Sequence, residues 1–208
     1  MDEIVRAAMR KWPQVPHCYG WLALDARGDW YLRDEAAQAA GAFPRPKGSR
    51  IEHEGLREFI ERNYEADARG CWYFQNGPQR VFVELEAAPW IWRINSHGPH
   101  RRAMAHTGVT ARLLRGAWFD ENGRVYLHTD VGFGLVESQD AASIVESLRA
   151  GSGHPMEDNE LEAWLAHSTA HAVVHGAILG LDGNPELGRL RMAELPRRFG
   201  FVRAPRPD

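Results

Sequence analysis

The sequence is poor in lysine and cysteine and has no long hydrophobic run. Lys11 and Lys47 are the only lysines among 25 basic residues, and Cys18 and Cys71 are the only cysteines in 208 residues. Two separated cysteines cannot build a disulfide framework or a four-cysteine zinc site, so a reduced, cytoplasmic protein is expected. No apolar stretch approaches the roughly 20 residues of a membrane span. The acidic start of the chain is unlike a secretory signal, and no membrane partner is expected.

The composition is that of an ordinary folded chain, with 44% hydrophobic and 25% charged residues. A chain of this length can bury a sizeable core without metal or disulfide support. The formal net charge of −3 argues against a polyelectrolyte partner, so nucleic-acid binding is not expected of the whole chain.

Three segments repeat one pattern of turn and strand residues. They are Asp25–Leu32, Asp67–Phe74 and Asp120–Leu127, and each has Asp, Gly, Tyr and an apolar residue at the same offsets. Such an Asp bonds its own backbone, and the Gly supplies the positive φ that closes a turn before a strand. The first and third segments read as β-hairpins and the second as a strand after a helix. The second and third stay in register for 18 positions without a gap, which favours a duplicated unit.

These elements predict an α+β fold. We expect two related, β-hairpin-rich and mainly antiparallel units with covering helices and a long C-terminal helix. An N-terminal subdomain would span 1–88, with helices at 2–12 and 51–63. A C-terminal subdomain would span 89–208, with helices near 140–150 and at 159–180.

Three blocks of sequence resemble an uncharacterised proteobacterial family, a domain of unknown function. They are QNGPQRVFVELEAAPW (75–90), VGFGLVESQD (131–140) and LPRRFGFV (195–202). The repeat layout is similar to other bacterial unknown-function families. The resemblance implies a β-rich protein of two subdomains with a proposed ligand-binding or signalling role. It implies no catalytic residues, because the family has none established.

One segment, 87–119, contains no Asp or Glu. It carries five arginines and three histidines, and its formal charge is +5. Guanidinium forks bind carboxylate and phosphate, so this segment predicts a site for a small anionic ligand. The candidate residues are Arg93, His97, Arg101, Arg102 and His106, with Trp90 and Trp92 as the walls of a cleft. The alternative is a solvated hairpin whose arginines pair with acids elsewhere. Further basic residues in 189–206 need not share its face.

Three histidines follow a helical spacing: His167, His171 and His175. Residues four apart on a helix could chelate a transition metal, but the outer pair would be about 12 Å apart and cannot share one ion. The glutamate of a zincin motif is missing. A metal-dependent hydrolase is therefore only the alternative hypothesis. Packing of this helix, in the protein or in a homodimer, is the simpler interpretation.

No motif names a reaction, so enzymatic activity is uncertain and not favoured. There is no GxSxG nucleophile elbow, and Glu84 and Glu86 on one strand are expected to be solvated. The sequence favours a non-enzymatic bacterial module, without cofactor, that binds a small anion or a partner protein in a regulatory role.

Overall fold

The structure is a computed structural model that describes residues 2–12, 14–97, 100–167 and 171–207. The side chains of 96, 97, 100 and 167 lie outside that description. The chain forms two compact units, Met1–Pro89 with Pro196–Asp208 and Trp90–Leu195. The sequence places residues 196–208 in the C-terminal subdomain, which is expected to span 89–208. In the structure, Val202 instead bridges to Cys71, and Leu85 donates its backbone N–H to Arg203.

The first unit consists of a six-stranded sheet and short helices. In chain order the elements are α1 (Glu3–Lys11), β1 (Cys18–Leu24), β2 (Trp30–Leu32), α2 (Glu35–Ala40), β3 (Ser49–Arg50), α3 (Glu54–Arg62), β4 (Tyr64–Ala66), β5 (Trp72–Asn76) and β6 (Gln79–Leu85). The order across the sheet is β3-β2-β1-β6-β5-β4, and only the central β1–β6 pair is parallel.

The second unit holds another six-stranded sheet and a two-stranded ribbon. Its elements are β7 (Trp90–His97), β8 (His100–Ala105), β9 (Leu114–Phe119), β10 (Val125–Thr129), β11 (Phe133–Val136), a 3₁₀ turn (Ser138–Asp140), α4 (Ala141–Ser147), β12 (Leu148–Ala150), α5 (Asp158–His167), β13 (Ala172–Val174), a 3₁₀ turn (Gly176–Leu179) and β14 (Leu187–Arg189). The helix α6 (Leu195–Phe199) follows. The sheet order is β14-β9-β10-β11-β7-β8, and β12 pairs with β13.

Five strands of each sheet share one arrangement, which confirms an α+β fold of two similar units. The strands β2-β1-β6-β5-β4 correspond to β8-β7-β11-β10-β9, with the same order and directions. A hairpin comes first, and the last strand of the following three-stranded meander runs parallel to the hairpin's first strand. The sixth strand differs, since β3 extends one edge and β14 the opposite one.

The repeated Asp turns have the predicted chemistry. Oδ1 of Asp25, Asp67 and Asp120 accepts the backbone N–H groups two and four residues later, at 2.8–2.9 Å in each turn. The glycine of each turn has φ between +74° and +83°. The second turn also joins two strands, because the short β4 follows α3. That segment is therefore a hairpin, contrary to the prediction.

The core of the second unit depends on indole rings that lie against glycine. A Cβ at Gly134 would come within 2.5 Å of the Trp92 indole nitrogen, and one at Gly188 within 2.5 Å of the Trp118 ring. Trp92 is completely buried among aliphatic residues of β8, β10 and α4. These glycines therefore serve packing.

The predicted long helix at 159–180 is wrong in its second half. Helix α5 ends at His167, and Ala172–Val174 is strand β13, whose Val174 pairs with Leu148 of β12. β-Branched valines favour a strand, and Gly176 packs so closely that a Cβ there would lie 2.2 Å from the Gly183 carbonyl oxygen. No helix in the described part of the chain is long and apolar enough to span a bilayer.

Candidate functional site

The predicted anion-binding residues are divided between two faces of the second sheet. The register of β7 and β8 places Arg93 and Arg102 on one face. Arg101 projects from the opposite face, where its Nη2 bonds Oε2 of Glu146 at 2.5 Å. Trp92 also lies on that opposite face and is buried. Because strand neighbours alternate, these side chains do not converge on one anion, and the prediction is corrected on this point.

His106 supplies no positive charge to such a site. The residue is partly exposed but its Nε2 atom is buried, and Nδ1 accepts the backbone N–H of Ile91 at 3.3 Å. Burial, and then the charge of Arg93, lower the pKa of His106 to about 3, so the ring is neutral near pH 7. Trp90 lies 6.0 Å from this ring and 6.4 Å from the Trp92 ring, so the tryptophans pack on their neighbours. The side chain of the last candidate, His97, lies outside the described residues.

The three spaced histidines do not share a helix face. His171 and His175 flank the extended strand β13, where four residues span about 13 Å, too far for two imidazoles to bind one ion. Nδ1 of His171 instead lies 2.8 Å from Oε1 of Glu186. The side chain of His167 lies outside the described residues. Within the part that is described, no three His, Cys, Asp or Glu side chains form a metal-ligand group.

A buried ion pair in the first unit was not predicted. Arg33 is 2% exposed and Glu84 is 3% exposed, and Nη1 of the arginine donates a short hydrogen bond to Oε2 of the carboxylate. Nη2 of Arg33 also donates to the carbonyls of Ala37 (3.2 Å) and Gly41 (2.6 Å). Glu84 lies in β6, at the centre of the sheet, so it is not solvated as expected. Charges are rarely buried this fully, and a buried pair is stable only when nearly all its polar atoms are satisfied.

Two arginines of the C-terminal segment lie beside this end of β6, and one of them contacts the same carboxylate. Nη1 of Arg206 donates to Oε1 of Glu84 at 3.0 Å, although the Arg206 side chain is 60% exposed. Arg203 donates from Nε to the carbonyl of Leu85 at 3.4 Å and from Nη2 to that of Glu86. No carboxylate of the described residues forms an ion pair with Arg203. Its positive charge is therefore hydrogen-bonded but not neutralised.

The loop between α2 and β3 is fixed beside this group of charges. Nζ of Lys47 lies 2.7 Å from Oδ2 of Asp25 and 3.6 Å from Oε2 of Glu86. Burial raises the pKa of Asp25, but the lysine and the backbone N–H groups of its turn outweigh it and hold that pKa below 3.8. Burial likewise lowers the pKa of Lys47, but the two carboxylates outweigh it and raise that pKa above 10.5. Both ends of the loop are thus held, one by Lys47 and the other by Arg33 through Gly41.

A cavity of about 260 Å³ lies beside these charged groups in the first unit. Its apolar side is formed by Phe43 and Leu85, and its polar side by Glu84, Arg203 and Arg206. Arg33 lies behind Glu84. The lining itself carries two guanidinium groups and one carboxylate, a formal surplus of one positive charge. Asp25 and Glu86 do not line the cavity. A small, positively charged pocket on a fixed frame is suited to binding an anion.

The signal for this site in the sequence is weak because its members are far apart. Arg33 is 51 residues from Glu84, and Arg206 is 122 residues from it. The local hints are a single arginine directly after an apolar strand and a glutamate within the run Val81–Leu85. Neither hint identifies its partner, so only the folded chain shows that they pair.

Comparisons with known proteins show a family without an assigned activity. The family model DUF2944, whose description reads "Protein of unknown function (DUF2946)", matches residues 1–206, which confirms the expected membership of an uncharacterised family. A crystal structure of a DUF1285 family protein from Silicibacter pomeroyi DSS-3 has 13% identity and a TM-score of 0.48, covering 95% of this chain and 100% of that one. Another, from Shewanella baltica OS155, has 14% identity and a TM-score of 0.41, covering 60% and 90%. No curated protein matches the chain.

Proposed function

We propose that this chain, which belongs to the DUF2944 family of unknown function, is a module that binds a small carboxylate or phosphate in the cavity of its first unit. The observation that supports this is that Arg33 and Arg206 both pair with Glu84, while Arg203 lines the same cavity without an ion-pair partner among the described residues. The general expectation of an anionic ligand is kept, and its place moves from the acid-free segment to this cavity.

The two accessible arginines bind the anion and the buried pair holds them in place. Arg206 uses one nitrogen for Glu84 and has further N–H donors. Arg203 is anchored by two backbone carbonyls, which orients its planar group before a ligand arrives. Charge-assisted hydrogen bonds from guanidinium to an oxyanion are among the strong polar interactions of proteins, especially when they are bidentate.

The size of the cavity limits the ligand. A volume of about 260 Å³ is slightly below the usual range for pockets that hold drug-sized molecules. The ligand is therefore small, with one or two anionic groups and a short body that contacts Phe43 and Leu85.

The test is isothermal titration of the full chain at low ionic strength with phosphate, sulfate, malonate and citrate. We expect one of these anions to bind, with an affinity that falls as salt is added. Arg203→Gln and Arg206→Gln should each weaken it about tenfold or more, the loss of one charged hydrogen bond. Arg6→Gln is the control, because it removes the same charge from an exposed helix of the same unit.

Two results would contradict the proposal. One is that none of the four anions binds at 10 mM. The other is that an anion binds equally well to the wild type, to Arg203→Gln and to Arg206→Gln. Denaturation curves of each variant show whether a loss of binding reflects a loss of folding.

A further inference from the structure

The second unit contains a larger cavity with a different chemistry. Its volume is about 490 Å³, within the usual range of small-molecule sites. It lies between the end of β9 with its Asp turn, the helix α5, and the residues that follow β14. It shares no residue with the cavity of the first unit.

One wall is a guanidinium group that lies over an indole. The Arg189 guanidinium lies 4.7 Å from the centre of the Trp164 ring, and its Nη2 donates to the Trp164 carbonyl at 2.5 Å. Trp164 is itself buried against Phe119. The indole therefore covers part of the guanidinium, and the exposed remainder of the Arg189 side chain borders the cavity. A planar ring can stack on such a face.

The remaining walls are apolar and acidic. Phe119, Leu165 and Leu190 provide the apolar surface. Glu121 also lines the cavity, and its Oε2 accepts the backbone N–H of Met192 at 2.8 Å. That hydrogen bond lowers the pKa of Glu121, so it is an ionised carboxylate with acceptor capacity left. A carboxylate can only accept, so it selects a ligand with N–H donors.

The other charged groups of the lining are already engaged. Asp120 is used by its own turn and by the Tyr126 hydroxyl at 3.0 Å. Arg191 pairs with Glu194 at 2.9 Å. The lining carries three carboxylates and two guanidinium groups, so it does not favour an additional negative charge.

We propose that this cavity binds an uncharged planar heteroaromatic ring whose edge presents two adjacent N–H donors, the 2-amino-4-oxopyrimidine edge of a guanine or a pterin. The ring stacks on Arg189, and the paired N–H groups of its edge donate to the two oxygens of Glu121. The sugar of a nucleoside would lie toward the opening of the cavity.

The experiment is equilibrium binding of guanosine, inosine, adenosine and pterin to the full chain. Guanosine should bind at least tenfold more tightly than inosine, which lacks the 2-amino group and so loses one hydrogen bond to the carboxylate. The comparison of pterin with guanosine tells which of the two molecules, both with the same ring edge, is the natural class of ligand. Tighter binding of pterin identifies a pterin as the natural class, and tighter binding of guanosine identifies a guanine.

Two variants locate the site. Glu121→Gln should lower guanosine affinity at least tenfold and remove the difference between guanosine and inosine. Arg189→Lys keeps the charge but removes the planar face, so it should weaken both nucleosides and leave their ratio unchanged. Arg115→Lys, an exposed arginine of β9 outside the cavity, is the matched control.

The proposal fails if neither guanosine nor pterin binds at 1 mM, or if guanosine and inosine bind equally. It also fails if binding is the same in the wild type and in both cavity variants, because the ring then binds elsewhere. The anion-binding test concerns other residues in the other unit, so one of the two proposals can fail while the other holds.

Discussion

The two units place different chemistry at equivalent positions. In the first sheet Leu22 pairs with Val83, and in the second Trp92 pairs with Val136 at the corresponding place. This register makes Arg33 equivalent to His106, and each donates its backbone N–H to the matching strand, at 2.9 and 2.8 Å. It also makes Glu84 equivalent to Glu137.

The difference shows that one backbone arrangement can hold two different sets of polar side chains. In the first unit the two side chains form a buried ion pair beside a charged cavity. In the second unit the imidazole is neutral, and Glu137 accepts hydrogen bonds from Ser138 and Gln139 at the start of a 3₁₀ turn. The sheet is thus maintained by strand pairing and turns, and these interior positions are free to take up separate roles.

The largest expected effect is the loss of the carboxylate from the buried pair. Glu84→Ala leaves the Arg33 charge buried without its partner, which should lower the free energy of unfolding by about 3–5 kcal/mol. Glu137→Ala removes a capping carboxylate, so we expect a smaller cost of about 1 kcal/mol. Urea denaturation of the two variants measures the difference. Equal losses would show that the equivalent positions contribute in the same way.

A double variant tests whether charge, rather than volume, is responsible. Arg33→Met with Glu84→Leu replaces the pair by apolar side chains of similar size, which is often neutral or stabilising for buried pairs. We expect this protein to be more stable than Glu84→Ala. If it is equally unstable, the backbone hydrogen bonds of Arg33 dominate and the ion-pair explanation is wrong.

Acid should separate the two equivalent positions. His106 has a folded pKa of about 3 and an ordinary value of 6.5, so the unfolded chain binds its proton first as the pH falls. The stability that depends on the neutral imidazole is fully present above about pH 6.5 and is lost as the pH falls toward 3. The free energy of unfolding therefore falls by roughly 3 kcal/mol between pH 7 and pH 4.

The measurement is the free energy of unfolding at pH 7, 5.5 and 4 for the wild type and for His106→Asn. Asparagine offers an acceptor to the backbone N–H of Ile91 and carries no titratable proton. Carboxylates titrate in both proteins, so the difference between the two curves isolates His106. Parallel curves would mean that the imidazole is not held neutral.

The smallest effects concern the shared Asp turns. In the first unit Oδ2 of Asp67 reaches only the exposed side chain of Arg69, at 3.2 Å, whereas Oδ2 of Asp120 in the second accepts the Tyr126 hydroxyl. We therefore expect Asp67→Ala to cost about 1 kcal/mol and Asp120→Ala about 2 kcal/mol, because the second also removes the acceptor of the buried Tyr126 hydroxyl. Thermal melts provide the comparison, with Asp67→Asn as the control that keeps the acceptor.

Local chemistry made the turns and the repeat predictable from the sequence. Asp120 and Gly123 interact within four residues, so their spacing alone indicates the turn. The same residue-by-residue register then predicted that β5–β6 would match β10–β11. The fold class followed from these segments.

Long-range packing explains what the sequence did not show. The apolar and small residues around Ala172 fit a helix by spacing, but pairing with β12 makes them a strand. The acid-free segment looked like one site because its charges are close in sequence, whereas alternation along β8 separates Arg101 from Arg102. The cavity of the first unit required Arg206 to meet Glu84, which no local pattern encodes.

The return of the C-terminal segment to the first unit affects the order in which the protein is made. Domains generally fold during synthesis in chain order. Here Val202 bridges to Cys71, and Arg203 and Arg206 line the cavity of the first unit, yet all three leave the ribosome after the whole second unit. The unit that begins first is thus completed last. Nascent chains that already display a finished second unit still lack Arg203 and Arg206, so the complete cavity of the first unit exists only after translation has passed residue 206.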